Sequence, residues 1–244
     1  DGAHDMETRC READLSKNPA AMLATLLVYL GTGCYREGGP AEKWAKPNHV
    51  MMPYCNALYL CADWYRQLWA ESLGKRYSLD GPDGKQEVFA GFTPIKALGA
   101  TDQHSQVQLY REGPNDKVFC LIEVEDFGAT GEAVTMPTGL GIDALQYLEG
   151  QKMSKLLNAE KRATEYALVE SERPNLTIKF PRVDARHVGE FMMLWQVATA
   201  YAGLMLNVDA YDQPAVETGK KATFGLMGRE GFGEWEEKVA SKLS

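Results

Sequence analysis

Three places in this sequence carry residues suited to proton transfer. Glu71 lies in Trp69-Ala70-Glu71-Ser72-Leu73-Gly74-Lys75, in the last turn of a helix expected over residues 56–73. The negative end of that helix, and burial beside Trp69, would raise the carboxyl pKa. A carboxylate moved toward neutrality suits a general base that takes a proton from carbon; the competing reading is a surface glutamate paired with Lys75. His104 lies in Gly99-Ala100-Thr101-Asp102-Gln103-His104-Ser105-Gln106, in the first turn of a helix capped by Thr101 or Asp102. There the positive dipole end would keep the imidazole neutral and able to exchange a proton. The competing reading is a polar histidine at a helix start. Third, Asp212 and Gln213 precede Pro214, a residue favoured at the first helical position. Gln213, Glu217 and Lys220 would then share one helix face, unless this is an ordinary capped helix with a surface Glu217–Lys221 pair. His4, His49 and His187 lack any such setting.

The elements that must hold these residues alternate between strand and helix. Leu58, Cys61, Ala62, Tyr65, Leu68 and Trp69 recur at three and four, which marks the 56–73 helix, and Gly74 reads as its left-handed stop. His49–Tyr54, Lys117–Val124 and Asn175–Phe180 read as strands. Helices are expected over 3–14, from Pro19 to about Leu30 with Gly31 and Gly33 ending it, over 101–110, over 142–170 as one helix or a pair, and over 184–206 and 231–242. Turns are expected at Gly38-Gly39-Pro40 and Gly81-Pro82-Asp83-Gly84, with long loops at 74–101 and 128–141. This order predicts an α/β fold, a three-layer sandwich around a mostly parallel sheet of about 4–5 strands. Without a linker or repeat, one domain over 1–244 is expected.

The net charge of −8 and the absence of a basic cluster argue against nucleic acid and anionic membranes as partners. One or two local cations would still suffice for a small phosphate ester. The five cysteines are odd in number, and the nearest pair, Cys55 and Cys61, lacks zinc-ligand spacing. Reduced thiols in a cytoplasmic protein follow, and without a His/Cys/carboxylate cluster at ligand spacing no metal is expected. No apolar run is long enough to span a bilayer.

Gly203-x-Met205-Leu206-x-x-x-x-Tyr211-Asp212-Gln213-x-Ala215-Val216-Glu217-x-x-Lys220 resembles the C-terminal signature of the glucose-6-phosphate isomerase family. The Glu71-Ser-x-Gly-Lys run and the segment around His104 resemble two further stretches of that family. The resemblance implies an SIS-type domain and interconversion of glucose 6-phosphate and fructose 6-phosphate through a cis-enediolate, with neither redox cofactor nor metal. It implies Glu71 as the base moving a proton between C2 and C1. It implies His104 and Lys220 in ring opening, with His104 serving the partner subunit's site, and Gln213 as a sugar contact. Lys221, one position off the pattern, is expected to be solvated. It further implies a sugar phosphate partner and a homodimer in the full-length parent. The family's Ser/Thr-rich phosphate loop and its Gly-Arg-Tyr-Ser segment are not in this sequence. With Asp1 rather than Met at the start, the expectation is a C-terminal domain whose phosphate-binding half lies elsewhere.

Two other readings compete. One is a non-catalytic sugar-phosphate-binding module of the same fold, which would keep the phosphate loop and could lose Glu71 and Lys220. The other is a dinucleotide enzyme, from Gly139-Leu140-Gly141-Ile142-Asp143-Ala144. That fingerprint needs a strand before it, and Pro137 stands in the way.

Overall fold

Of the stretch Asn48–Pro53 only Asn48 is appreciably exposed, and the stretch forms strand β1. The computed structural model describes residues 1–34, 43–79, 81 and 84–243. It places β1 in a four-stranded sheet with β4 (Thr93–Lys96), β5 (Lys117–Asp126) and β6 (Asn175–Arg182), in the order β4-β1-β5-β6, every pair parallel. A parallel sheet must be covered on both faces, and the residue alternation of the two central strands shows how. Met51, Val118, Cys120, Ile122 and Val124 pack in one core with helices α1 (Gly2–Arg9), α2 (Pro19–Thr32), α3 (Tyr59–Leu73) and α7 (Ala185–Met205). Val50, Met52, Phe119 and Leu121 pack in a second core with Tyr110 of α4 (Val107–Glu112) and Leu168 of α6 (Met153–Glu170). The three-layer α/β architecture follows from this period of two.

Local chemistry sets the helix ends. Asn18 accepts from the Ala21 N–H at 2.9 Å with Pro19 at the first helical position, and Asp184 accepts from the His187 N–H at 2.9 Å. α2 runs past Gly31 to Thr32, and Gly33 is the left-handed stop at φ 77°. Gly31 serves packing instead, since a Cβ there would meet the Phe92 ring at 2.2 Å. α6 and α7 close with the paired hydrogen bonds of Schellman motifs, Arg173 N to Leu168 O with Glu172 N to Val169 O, and Val208 N to Gly203 O with Asn207 N to Leu204 O. Glu172 and Asn207 take the left-handed residue at φ 53° and 55°.

Several expected boundaries move. α1 stops at Arg9, and the chain from Cys10 is tied down by Asn18, which donates to the carbonyls of Cys10 and Glu12. Gly74 is extended, at φ −71° and ψ 92°, rather than left-handed. The segment 74–101 is not a loop. It contains an antiparallel hairpin of β2 (Lys75–Tyr77) and β3 (Glu87–Ala90), and then β4. β4 carries Pro94, a residue a strand accepts at a sheet edge. Within 128–141 a short helix, α5 (Gly128–Ala133), forms. The turn expected at Gly38-Gly39-Pro40 and the centre of that at 81–84 lie outside the described residues.

Where the sequence suggested one unit, the chain divides into two compact units, Asp1–Ala210 and Tyr211–Ser244. The second has its own small core. Its helices α8 (Val216–Leu226) and α9 (Gly233–Leu243) meet at Phe224 and Phe232, whose ring centroids are 5.2 Å apart. They approach over Gly225, where a Cβ would lie 2.7 Å from the Phe232 carbonyl oxygen. Among the described residues, no helix is long and apolar enough to cross a membrane.

Candidate active site

Glu71 sits in the last turn of α3 and faces partly into solvent. Its carboxylate shares a cleft of about 180 Å³ with Trp64, Gln67, Leu68 and Ser72. The aromatic neighbour is therefore Trp64, not Trp69. Two positions along a helix is roughly 200° of rotation, which turns Trp69 into the core, fully buried against Tyr65 and Trp195. Lys75 does not follow the surface-pair reading. Its ammonium donates to the main-chain carbonyls of Glu71 at 2.8 Å and Ser72 at 2.7 Å, closing the helix end. The carboxylate of Glu71 accepts from Nε2 of Gln67 at 3.3 Å. Gln67 and Trp64 were missed in the sequence, although they lie four and seven positions before Glu71, the spacing that places residues on one helix face.

His104 is not in the first turn of a capped helix. Thr101–Gln103 is a single turn of 3₁₀ helix ending at His104, and α4 begins only at Val107. The imidazole is exposed. What fixes the turn is its neighbours. Asp102 accepts from the Leu98 N–H and from the Ser105 hydroxyl, both at 2.7 Å. Burial alone would raise its pKa, but these bonds outweigh it and hold the carboxyl below the usual range. Gln103 donates from Nε2 to the Tyr54 hydroxyl at 2.8 Å and to Thr164 Oγ1 at 2.9 Å. Gly99 lies against the Tyr54 ring, where a Cβ would be 2.5 Å from ring carbons.

Topology places these two residues apart. α3 runs antiparallel to the strands, because Asp63 in its second turn pairs with Lys96 at the end of β4 at 2.8 Å, while Trp69 near its end packs on Phe92 just before β4. Glu71 is therefore at the amino end of the strands and His104 beyond their carboxyl end. Glu71 and His104 therefore do not share one edge of the sheet.

Gln213 and Lys220 belong to the second unit. α8 starts at Val216 after Ala215, so Gln213 precedes the helix rather than sharing its face. Pro214 is not at the first helical position. Its carbonyl accepts from the Glu217 N–H at 3.3 Å. Glu217 pairs with Lys220, at 2.8 Å, rather than with Lys221. The Lys220 ammonium holds the Glu217 carboxyl below its usual range. Lys221 is exposed and stands 5.9 Å from the centre of the Trp235 ring.

The dinucleotide fingerprint fails in its setting. No strand leads into Gly139, and a short 3₁₀ stretch, Asp143–Leu148, follows. The N–H groups of Gly139 and Leu140 donate to the Glu149 carboxylate, both at 3.0 Å, so the loop is closed by its own side chain. Among the described residues, no three His, Cys, Asp or Glu side chains gather as a metal-ligand set.

Sheet, flanking helices and cleft together define a parallel α/β domain that carries a carboxylate in an open groove at a helix end. The sequence matches the phosphoglucose isomerase family over residues 1–228, and the chain belongs to that family. It is 45% identical to the glucose-6-phosphate isomerase of Carboxydothermus hydrogenoformans over 238 residues, which cover 98% of this chain and 48% of the relative. It is 42% identical to a probable glucose-6-phosphate isomerase of Haloquadratum walsbyi over 194 residues, 80% of this chain and 41% of that one. A solved hypothetical protein from Thermus thermophilus superposes with a TM-score of 0.79 at 34% identity, over 93% of this chain and 49% of its own. A glucose-6-phosphate isomerase from Chlamydia trachomatis superposes with a TM-score of 0.76 at 17% identity, over 100% of this chain and 45% of its own, a likeness of fold alone. The chain thus spans about half the length of the curated relatives it matches.

Proposed function

We propose that this chain is the C-terminal SIS-type domain of a cytoplasmic, homodimeric glucose-6-phosphate isomerase. The observation that carries the proposal is the Glu71 carboxylate, presented in an open cleft and held by Gln67, in a chain of this family. In that reading Glu71 moves the proton between C2 and C1 of the sugar through a cis-enediolate, with Gln67 orienting its carboxylate. His104 and Lys220 assist ring opening, and Gln213 contacts the sugar. Proton transfer of this kind requires neither redox cofactor nor metal. The names of the relatives favour an isomerase over a non-catalytic sugar-phosphate-binding module.

The phosphate anchor would come from the half of the relatives' length that this chain does not span. Positioning of the reacting carbons supplies about 7 kcal/mol or more of rate acceleration, so the chain by itself should be nearly inactive. The test is a coupled assay of glucose 6-phosphate and fructose 6-phosphate interconversion. It compares this chain, the same chain joined to a relative's N-terminal half, and the joined protein with Glu71→Gln. Only the joined protein with Glu71 intact should turn over at an enzymatic rate. An undiminished Glu71→Gln protein would overturn the base assignment.

A further inference from the structure

The first unit holds another crevice, remote from Glu71, that the proposed isomerase chemistry does not use. After β1 the chain passes to α3 on one face of the sheet, and after β5 to α6 on the other. Adjacent parallel strands whose connections part in this way open a crevice at their carboxyl ends, the usual ligand position of open α/β sheets. Here it is lined by Cys55 and Asn56 beyond β1, Phe127 beyond β5, and Met153, Leu157 and Glu160 of α6. Its volume of about 540 Å³ lies in the range of small-molecule sites.

The chemistry of the lining is selective. Phe127, Met153 and Leu157 make apolar walls, and Glu160 is the one charged group among the lining residues. Its main-chain carbonyl accepts from Gln103 at 3.4 Å, but its carboxylate has no ion pair or hydrogen bond among the described residues. None of the cations of the same helix and its entry lines the crevice, and Lys155 donates to Gln151 at 2.8 Å. Lys152 pairs with Glu132 at 2.7 Å, and Lys161 with Glu123 and Glu165 at 3.0 and 2.7 Å. A phosphate ester would meet an uncompensated carboxylate here. A cation with an apolar body would not.

We propose that the crevice at the carboxyl ends of β1 and β5 binds a small arylalkyl- or alkylammonium molecule, its apolar body on Phe127, Met153 and Leu157 and its cation at Glu160. The ligand class has the opposite charge to a sugar phosphate, and the lining contains none of Glu71, His104, Gln213 and Lys220, so this is a second site.

The test uses phenethylamine as the probe, titrated at neutral pH into the isotope-labelled 244-residue chain and followed by amide resonances. Saturable shifts are expected at Asn56, Gly131 and Leu157, with none from phenylacetate or inorganic phosphate. Glu160→Gln should weaken the amine about tenfold, the loss of one charge-assisted contact. Leu157→Trp, which fills the crevice, should abolish binding, and Met153→Trp replaces it if that variant does not fold. The proposal is overturned if phenethylamine gives no saturable shifts at millimolar concentration. Equal binding of phenylacetate, or an unchanged affinity in Glu160→Gln, also overturns it.

Discussion

Glu71 and His104 lie at opposite ends of one parallel sheet. Six residues of β1 separate the two levels, roughly 20 Å at the rise of an extended strand. One chain cannot bring both side chains to the same sugar carbon. If both serve catalysis, the two come from different subunits around each site, as a two-fold dimer allows. In the protein joined to a relative's N-terminal half, Glu71→Gln and His104→Gln should each lose roughly 10² to 10⁴ in kcat. When the two variants are unfolded together and refolded, half of the dimers are mixed, and each mixed dimer has one intact site. About a quarter of the parental activity should therefore return. A mixture no more active than its two components would reject the shared-site reading.

His49 supplies a pH prediction. It is buried between Phe92, with ring centroids 4.6 Å apart, and Trp69 at 5.7 Å, and burial pulls its pKa down to about 3. In the unfolded chain the imidazole titrates near 6.5. Between those values the unfolded state binds the extra proton, so stability falls as pH drops from about 6.5 toward 3. The slope is about 1.4 kcal/mol per pH unit, or roughly 2 kcal/mol between pH 6.5 and 5. His49→Phe keeps the ring stack and removes the titration. Denaturant melts at several pH values should show a shallower acid slope for the variant, and identical slopes would reject the argument.

Lys161 is a buried residue of α6 and bonds Glu123, Glu165 and Thr177, the last at 2.7 Å. Burial would raise the Glu165 carboxyl, but Lys161 and Thr177 outweigh it and keep it low. Lys161→Met keeps the volume and strands two carboxylates. Both are partly open to water, with Glu123 at 18% and Glu165 at 35% side-chain exposure, so the cost should sit at or below the low end of buried-pair deletions, about 2–3 kcal/mol. Adding Glu123→Gln and Glu165→Gln should recover part of that loss in chemical denaturation. A single variant as stable as the parent would show that the cluster contributes no net stability.

The sheet was legible because its central strands are apolar on both faces, as Val50-Met51-Met52 and Val118–Val124 show. The helix from Pro19 was legible because Asn18-Pro19 carries its own start signal. β4 was not, since a four-residue edge strand with a proline inside looks like loop until Asn48 and Val50 are seen to pair with Thr93 and Ile95. The candidate site was legible only residue by residue. Family spacing singled out Glu71, His104, Gln213 and Lys220. Trp64 and Gln67 required the helix face, and the setting of His104 depended on the bonds Gln103 makes to the distant Tyr54 and Thr164, beside the local ones Asp102 accepts. Spacing left both Lys220 and Lys221 as partners for Glu217, because positions three and four apart are alike neighbours on a helix, and the structure pairs it with Lys220.

That partner leads to a test that separates structure from catalysis. Glu217 and Lys220 form an exposed pair three residues apart, with side-chain exposures of 54% and 57%. Pairs of this kind contribute little to stability and weaken with salt. Loss of Lys220 should therefore leave the melting temperature of the joined protein nearly unchanged. If Lys220 assists ring opening, Lys220→Met should nevertheless lower kcat by roughly 10² or more, the scale of general acid–base assistance. The loss should be smaller with fructose 6-phosphate already in its open form, so single-turnover kinetics on the ring-opened fraction resolve the step. Lys221→Met is the control. Its ammonium stands over Trp235 rather than on Glu217, and its removal should change kcat by less than about twofold, because it loses only a surface ring contact. Equal losses for the two lysines would mean that the α8 charge, rather than the Lys220 position, matters. An unchanged kcat in Lys220→Met would remove Lys220 from the mechanism.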